Sequence, residues 1–327
     1  MKLVIGFITY GRLTARYLPY FLDSFKKQTF KDFEIIAADN SEERENANRE
    51  YISKYYPDIR VVWNSKNIGF AKAYNIIISR AIKAGAKYFL AINPDMIIEP
   101  GAVALMVKAL DNDSKLGSAS PKVLRWDFIH NKKTKIIDTC GIQLKPGLRF
   151  IDLGQSQADS GQCDKAEILG PSGAAAMYRL SALELVKQGG QYFDELMFMY
   201  KEDCDLAYRL YLAGFRSSCA SEAIIYHDRT AQARGESNLQ IVRNRKYKNR
   251  RIKQWSFLGQ QIIFIKYWQR QNWQNKLAIV WHEVKIFIFI LLFEQYLLKQ
   301  YQQLIEIRSR IKIYKNYSLK ALKNYLL

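Results

Sequence analysis

Short apolar runs alternate with amphipathic stretches over the first 120 residues of the chain. The runs predicted as strands are 3–9, 33–39, 59–63 and 88–92, and the stretches predicted as helices are 18–28, 42–55 and 69–84. Continuously apolar strands that alternate with helices are typical of a parallel sheet covered on both faces. We therefore predict an α/β fold with a doubly wound, mostly parallel central sheet.

Polar side chains follow each of these predicted strands. They are Thr9, Asp39-Asn40, the segment 64–67 and the segment 93–95. Ligands of such sheets bind outside the carboxyl ends of the strands. We expect these side chains to converge on one crevice.

Asp95 stands at the end of the fourth strand, in the sequence Asn93-Pro94-Asp95. A carboxylate at a strand end beside phosphates suits Mg²⁺ or Mn²⁺, which takes oxygen ligands. The alternative is an Asp that only stabilises a turn after Pro94.

Two further strand ends favour nucleotide binding. Asp39 is placed as an acid after a second strand, where it can bond a ribose or base; the alternative is that Asn40 or Ser41 caps the helix predicted from 42 to 55. Asn67 and Gly69 open the next helix, where glycine allows close approach of backbone to an anionic ligand.

An acidic cluster, Glu202-Asp203-x-Asp205, opens a helix after the aromatic-rich segment 192–200. Acids in a first turn also suit the helix dipole, so capping is the simpler interpretation. A carboxylate there could instead take a proton from a hydroxyl nucleophile. His227 ends an apolar strand and is a candidate metal ligand beside carboxylates, or a satisfied structural histidine.

Net charge separates two parts of the chain. The formal charge is +19, and residues 229–327 carry 20 basic and four acidic residues, against 30 and 27 in residues 1–228. Four scattered cysteines without a C-x-x-C pair favour reduced thiols in a cytoplasmic protein. The Walker P-loop, G-x-S-x-G, H-E-x-x-H and G-x-G-x-x-G patterns are absent from the sequence, which removes the usual support for ATPase, serine hydrolase, zinc protease and dinucleotide functions.

The basic last third predicts a polyanionic partner. Residues 243–253 hold seven basic residues, and four tryptophans follow among long apolar residues, which favours an interfacial helix on an anionic membrane. Nucleic-acid binding, with bases stacked on aromatic rings, is the less favoured alternative. A helical bundle that packs on the catalytic region or on a second copy is the simplest alternative. The apolar stretch 277–298 contains four ionisable residues and is predicted to lie at an interface, not to span.

Several motifs occur together in an order that resembles family 2 glycosyltransferases of the GT-A fold, and within them rhamnosyltransferase-like members that build bacterial surface polysaccharides. The motifs are ITYGR (8–12), ADNS (38–41), NIGFAKAYN (67–75), INPDM (92–96), IDTCGIQL (137–144), GPSGAAAMYR (170–179), YFDELMFMYKEDCDLAYRL (192–210), GF (214–215) and IIYHDR (224–229). The resemblance predicts a GT-A domain over 1–229, followed by a basic helical region over 230–327 that associates with the membrane.

This resemblance implies an inverting, metal-dependent transfer of a sugar from a nucleoside diphosphate. The donor pocket it implies contains Thr9, Tyr10, Asp39, Asn67, Gly69 and Asn93, with Gly173 and Ala174 at the junction with the acceptor. Asp95 is implied as a metal ligand, although Asn93 replaces the first acid of the family's D-x-D motif, and His227 as the distal ligand. Asp203 is implied as the base and Glu202 as the residue that orients the acceptor, with an exchange of these two roles left open.

The implied partners are a nucleoside-diphosphate sugar, with dTDP-rhamnose as a candidate, a saccharide or polyprenyl-diphosphate-linked acceptor, Mg²⁺ or Mn²⁺, an anionic membrane and a second copy of the chain; nucleic acid is not among them. The implied location is cytoplasmic, peripherally attached to the inner face of the cell membrane. Two other hypotheses are a catalytically degenerate nucleotide-binding scaffold, and a nucleic-acid-binding protein that uses the basic region.

Overall fold

The computed structural model describes residues 1–164, 166–229 and 249–313. Its strands are β1 (Leu3–Thr9), β2 (Phe33–Asp39), β3 (Arg60–Trp63), β4 (Tyr88–Ile92), β5 (Met96–Ile98), β6 (Leu116–Asp127), β7 (Lys132–Thr139), β8 (Ile142–Lys145), β9 (Arg149–Asp152), β10 (Ala175–Arg179) and β11 (Arg216–His227). Its α-helices are α1 (Gly11–Ala15), α2 (Leu18–Lys26), α3 (Ala47–Tyr55), α4 (Phe70–Lys83), α5 (Ala102–Asn112), α6 (Leu180–Val186), α7 (Glu202–Leu212), α8 (Arg250–Tyr267), α9 (Trp273–Phe293) and α10 (Leu298–Ile307).

One mixed sheet organises the molecule, in the order β3-β2-β1-β4-β10-β6-β11-β5, with β7 added beside β6. The first four strands in that order are parallel, as predicted. β10 runs antiparallel to both β4 and β6, so the sheet reverses at its centre. The predicted α/β class with a central sheet flanked by helices is confirmed. The sheet is mixed, because β6 and β11 also pair in parallel beyond the antiparallel β10.

Two apolar layers cover the two faces of this sheet. One contains the inward side chains of α2 and α5, such as Phe21 and Met106, and the other those of α4 and α6, such as Ile77 and Leu183. Strands β1 and β4 are buried on both faces, and their successive side chains point alternately to one layer and to the other. The carboxyl ends of these strands are thereby held rigidly at one edge of the sheet.

The C-terminal helices share a core with the rest of the protein. Ile262, Ile263 and Tyr267 of α8 are completely buried and pack with residues of the β8–β9 hairpin and of α7. The predicted boundary between residues 229 and 230 falls at the edge of the segment 230–248, which lies outside the described residues, as do residues 314–327. None of the described helices is both long and apolar enough to cross a bilayer.

Candidate active site

Thr9 and Asp39 end neighbouring parallel strands and are paired in the register of the sheet. The hydroxyl of Thr9 donates a hydrogen bond to Oδ1 of Asp39 over 3.1 Å, and the amide of Asn46 donates to Oδ2 over 2.8 Å. Both predicted residues are completely buried, whereas Tyr10 next to them is exposed. The Asp39 carboxylate is therefore fixed in place beneath the surface of the crevice.

Asn46 also explains where the next helix begins. Its side-chain oxygen accepts hydrogen bonds from the backbone N–H groups of Asn48 and Arg49, which makes it the N-cap of α3. The predicted helix start at residue 42, capped by Asn40 or Ser41, is wrong because Asn46 is the better-placed cap. Asn40 instead accepts a bond from Asn64 and donates to the carbonyl of Gly69.

Asn67 and Gly69 join this crevice to the segment that precedes α7. Gly69 has a left-handed φ of 84°, and a Cβ there would lie 2.5 Å from the carbonyl oxygen of Phe198. The same carbonyl accepts a bond of 2.8 Å from the N–H of Phe70. Asn67 closes the turn by accepting from the N–H of Gly69 over 3.0 Å. Glycine is needed here because another part of the protein contacts the backbone.

Asp95 and His227 lie side by side across the β5–β11 pair. Met96 and His227 are partners in the register, and Nε2 of His227 is 3.3 Å from Oδ2 of Asp95. Oδ1 of Asp95 is buried without a hydrogen-bond partner. Residues 95 and 227, which are 132 positions apart in the chain, are thus brought together as the prediction of a shared site requires.

Asp138 stands behind His227. Its Oδ2 lies 2.8 Å from Nδ1 of the imidazole, and its Oδ1 accepts a bond of 2.6 Å from Arg229. Burial opposes charge on the imidazole, but Asp95 and Asp138 outweigh it and raise the pKa of His227 to about 10. Burial likewise raises the pKa of Asp138, but His227 and Arg229 outweigh it and lower the value to about 2.

The residues present fit a divalent cation. Within the described ranges, no group of three or more His, Cys, Asp or Glu side chains is arranged to hold an ion. Asp95 offers a buried carboxylate oxygen that lacks a partner, and His227 would offer Nε2 after a cation displaced its proton. Asp138 orients the imidazole as carboxylates do behind metal-bound histidines. Two protein donors suit a Mg²⁺- or Mn²⁺-type site that is completed by substrate phosphates and water.

The acidic cluster begins α7 and separates into three environments. Asp203 is half-buried, and its carboxylate accepts bonds from the N–H of Gly173 over 2.9 Å and of Cys204 over 2.7 Å. Glu202 is buried, and its Oε2 has no partner. Asp205 is completely buried. The three acids therefore occupy different environments despite their close spacing.

Burial raises the pKa of Glu202 well above its ordinary value, and the neighbouring Asp203 raises it further. Such a carboxyl keeps its proton to a higher pH than an exposed glutamate does. Asp203, with its half-exposed carboxylate bonded by two N–H groups, presents the accessible oxygen atoms of this pair. This difference in environment favours Asp203 as the base and Glu202 as the residue beside it.

Gly173 and Ala174 connect Asp203 to the segment that contains Asp95. Gly173 donates its N–H to Asp203, and Ala174 accepts a bond of 2.9 Å from the N–H of Asn93, two residues before Asp95. A Cβ on Gly173 would lie 3.3 Å from both the Asp203 carboxylate and the ring of Phe70. The small-residue segment thus lies between the two groups of acids.

Asp205 was expected to cap the helix, but it forms a buried ion-pair network. Oδ1 of Asp205 lies 2.6 Å from Nζ of Lys266 and 2.8 Å from the hydroxyl of Tyr267, and Oδ2 lies 2.9 Å from Nε of Arg209. Lys266 and Tyr267 belong to α8. The last third of the chain therefore contributes directly to the support beneath the acidic cluster.

Three supporting residues were not assigned by the sequence pattern. Asp138 and Arg229 lie inside quoted motifs, yet nothing in the spacing indicated that Asp138 contacts both His227 and Arg229. Lys266 was one of many basic residues in the last third, and no local pattern distinguished it from exposed ones. A lysine within an otherwise apolar stretch, IIFIKY, is the one signal that could have identified it.

The glycosyl transferase family 2 model matches residues 5–186 of the chain. N-acetylglucosaminyl-diphospho-decaprenol L-rhamnosyltransferase of Mycobacterium tuberculosis is 26% identical over 229 residues, covering 64% of this chain and 71% of that protein.

Two solved structures share the fold. GalNAc-T7 with UDP, GalNAc and Mn²⁺ has a TM-score of 0.55 at 13% identity, over 80% of this chain and 51% of that one. TarS of S. aureus has a TM-score of 0.52 at 16% identity, over 85% of this chain and 50% of that one. The chain thus spans about half the length of each solved chain. With more than half of its residues matched by the family model, the chain belongs to glycosyl transferase family 2 and is a glycosyltransferase of rhamnosyltransferase-like type.

Proposed function

We propose that this glycosyltransferase is an inverting, metal-dependent enzyme that moves a sugar from a nucleoside diphosphate to a hydroxyl of a saccharide, in the synthesis of bacterial surface polysaccharide. The distant relative named as a rhamnosyltransferase favours dTDP-rhamnose as donor and a polyprenyl-diphosphate-linked saccharide as acceptor. The GalNAc-T7 structure holds UDP and Mn²⁺ and supports a nucleotide and a divalent cation.

The donor is assigned to the crevice at the carboxyl ends of β1, β2 and β4. Tyr10 is the exposed member, Thr9 and Asp39 form the floor, and Asn67, Gly69 and Asn93 line the turns beside it. The diphosphate would lie near Asp95 and His227. A divalent cation bound to those two side chains supplies positive charge that offsets the charge developing on the leaving diphosphate.

The observation that carries this proposal is the fixed position of Asp203 beside Gly173. Two backbone N–H groups hold its carboxylate in one orientation. It would accept the proton of the acceptor hydroxyl while that oxygen forms a bond to the anomeric carbon. The bond from that carbon to the diphosphate oxygen breaks on the opposite face, so the configuration inverts and no covalent enzyme intermediate is needed.

The Asp203→Asn variant tests this assignment, because Asn still accepts a hydrogen bond from Gly173 but cannot take the proton. We expect transfer to fall by a factor of about 10² to 10⁴ while the affinity for nucleotide is kept. The exposed Asp58→Asn variant is the matched control. Transfer would be measured with dTDP-rhamnose and other nucleotide sugars, Mn²⁺ and a polyprenyl-diphosphate-linked N-acetylglucosamine. Unchanged turnover in Asp203→Asn contradicts the assignment, and the absence of transfer by the unaltered protein with every donor favours the scaffold hypothesis.

We further propose that the C-terminal region attaches the enzyme peripherally to the cytoplasmic face of an anionic membrane, where a lipid-linked acceptor would be found. The concentration of basic residues after residue 228 supports this placement.

A further inference from the structure

Helix α9 exposes most of its large apolar side chains to solvent. Only Ile279 and Ile290 of this helix are buried. Phe293, the last residue of the helix, is also exposed but points to another side. The other exposed side chains, here called the outer face of α9, are Trp273, Leu277, Val280, Trp281, Val284, Phe287, Ile288, Leu291 and Leu292. At roughly 100° per residue these side chains fall within an arc of about 140°. A contiguous apolar surface of this kind marks an interaction site.

Lysines border this arc on both sides. By helical spacing, Lys276 lies just before one edge of the arc and Lys285 just beyond the other. Nζ of Lys285 is 4.7 Å from the centroid of the Trp281 ring, and Nζ of Lys276 is 5.7 Å from that of Trp268. An apolar face edged by lysine and tryptophan is the pattern of a helix at the boundary between headgroups and acyl chains.

The opposite side of α9 is fixed to the protein. The N–H of Gly147, in the turn between β8 and β9, donates to Oδ1 of Asn275, and a Cβ on Gly147 would lie 3.2 Å from Ala278. Glu283 accepts a bond of 2.7 Å from Gln261 of α8. Since these contacts hold the inner side of the helix, the outer face cannot turn inward to be covered.

The charges around α9 determine which class of partner fits its outer face. Between residues 249 and 313, Glu306 is the one fully exposed acid, because Glu283 and Glu294 turn toward Gln261 and Lys253. The fully exposed basic residues of the same stretch are Arg250, Arg251, Arg270, Lys285, Lys299, Arg308, Arg310 and Lys312. A second copy would bring the same positive charge to the contact, and a nucleic acid would leave the apolar arc uncovered. An anionic lipid surface satisfies both the charge and the apolar area.

We propose that α9 lies in the plane of an anionic bilayer, with its outer face inserted at the headgroup–acyl boundary and with Lys276 and Lys285 on lipid phosphates. An apolar groove of about 380 Å³ continues this face toward α10. It is lined by Val284, Phe287, Ile288 and Tyr301, with Glu283. The proposal rests on the membrane attachment proposed above and is independent of the sugar-transfer chemistry.

Vesicle sedimentation tests the proposal. The full chain is mixed with vesicles of phosphatidylglycerol and phosphatidylcholine, or of phosphatidylcholine alone. We expect binding to the anionic vesicles, at least about tenfold weaker binding after Leu277→Glu with Leu292→Glu, and weaker binding in high salt. The control is Ile129→Glu, which changes a still more exposed apolar side chain in the turn between β6 and β7. Equal binding by the double variant and the control, or no binding by the unaltered chain, overturns the proposal.

Tryptophan fluorescence gives a second, independent measurement. Bromine-labelled lipid should quench the unaltered chain, and Trp273→Phe with Trp281→Phe should remove most of the quenching while vesicle binding is kept. Quenching that persists in this variant places the contact elsewhere and overturns the assignment to α9.

Light scattering and transfer assays separate the other outcomes. A dimer in solution that Leu277→Glu with Leu292→Glu converts to a monomer would assign the outer face to a second copy and overturn the proposal. Transfer to a soluble acceptor should be the same in the Glu variant and in the unaltered chain. Asp203→Asn should bind vesicles normally, so that a failure of the catalytic assignment and a failure of the membrane assignment are distinguishable.

Discussion

Gly259 of α8 packs directly against the backbone of Tyr200: a Cβ on Gly259 would lie 2.8 Å from the carbonyl oxygen of Tyr200 and 3.0 Å from Cβ of Lys201. Tyr200 and Lys201 both have left-handed φ values, 72° and 78°. Two consecutive non-glycine residues in this region store strain that the surrounding structure must overcome. They immediately precede Glu202 and Asp203, so α8 presses on the segment that positions the acidic cluster.

Gly259→Ala should therefore impair catalysis more than folding. Alanine is the better helix former by about 1 kcal/mol, but its methyl group would displace the Tyr200 carbonyl and shift Asp203. We expect kcat to fall about tenfold or more, with little change in the KM for the nucleotide sugar. Ser256→Ala, one turn earlier in α8, is the control. If Gly259→Ala keeps the full kcat, the contact does not position the acidic cluster.

Lys266→Met should destabilise the protein strongly. It would leave the buried Asp205 carboxylate and the partly buried Asp194 carboxylate without the lysine that lies 2.6 Å and 2.8 Å from them. Removing one partner of a buried ion pair costs about 3–5 kcal/mol of unfolding free energy. Lys187→Met breaks an exposed pair with Glu184 and should cost less than about 1 kcal/mol. Urea unfolding of both variants measures the difference, and similar losses would contradict a structural role for Lys266.

Asp138→Asn should weaken the proposed metal site without removing a metal ligand. Asparagine does not hold the imidazole of His227 as a carboxylate does, and loss of such a partner typically lowers metal affinity by about 10- to 100-fold. The measurement is the thermal shift that a nucleoside diphosphate produces with and without Mn²⁺. Asp95→Ala should abolish the Mn²⁺-dependent part of the shift, and the exposed Asp58→Asn should leave it intact. A normal Mn²⁺ response in Asp95→Ala rules out this site.

Glu202→Gln should change how stability depends on pH. Burial raises the pKa of Glu202 well above 4.5, so the folded protein keeps a proton that the unfolded chain releases above that pH. The free energy of unfolding contributed by Glu202 is therefore full below pH 4.5 and is lost as the pH rises toward the folded-state pKa. As the pH rises from about 5 to 7, the free energy of unfolding should fall less in the variant than in the unaltered protein. Glu222→Gln, at an exposed position, should follow the unaltered curve, and an identical curve for Glu202→Gln would show that Glu202 is ionised in both states.

The local pattern of apolar and polar residues was sufficient to predict the strands in the first part of the chain. Strands such as Leu3–Thr9 and Tyr88–Ile92 are buried on both faces, so their apolar runs and the polar residues that end them appear directly in the sequence. The segment 120–165 has no comparably regular apolar pattern. It contains most of β6 and all of β7, whose pairing shifts register, and such shifts interrupt the regular alternation of apolar residues.

The residues of the candidate site likewise divide into those that the local sequence pattern predicts and those that it does not. The positions of the strand ends predicted Thr9, Asp39 and Asp95 as site residues, because the carboxyl ends of parallel strands meet at one edge of the sheet. The Asp205–Lys266 pair, which joins residues 61 positions apart, depends on how α8 docks under α7. Helix docking is decided by the shapes of two surfaces and leaves no periodic signal in the chain.

Because Lys266 and Tyr267 are buried beneath Asp205, they limit where this chain could be joined to another by recombination. A recombination event that replaced the chain after residue 229 would remove both side chains and leave Asp205 with Arg209 alone as its ion-pair partner. An exchange after Tyr267 would keep Lys266 and Tyr267, and would remove Ile279 and Ile311 from that core and Glu294 from the buried Lys253. Descendants of this enzyme could therefore acquire new terminal helices, and with them a new cellular surface, only if the segment through Tyr267 travels with the catalytic region.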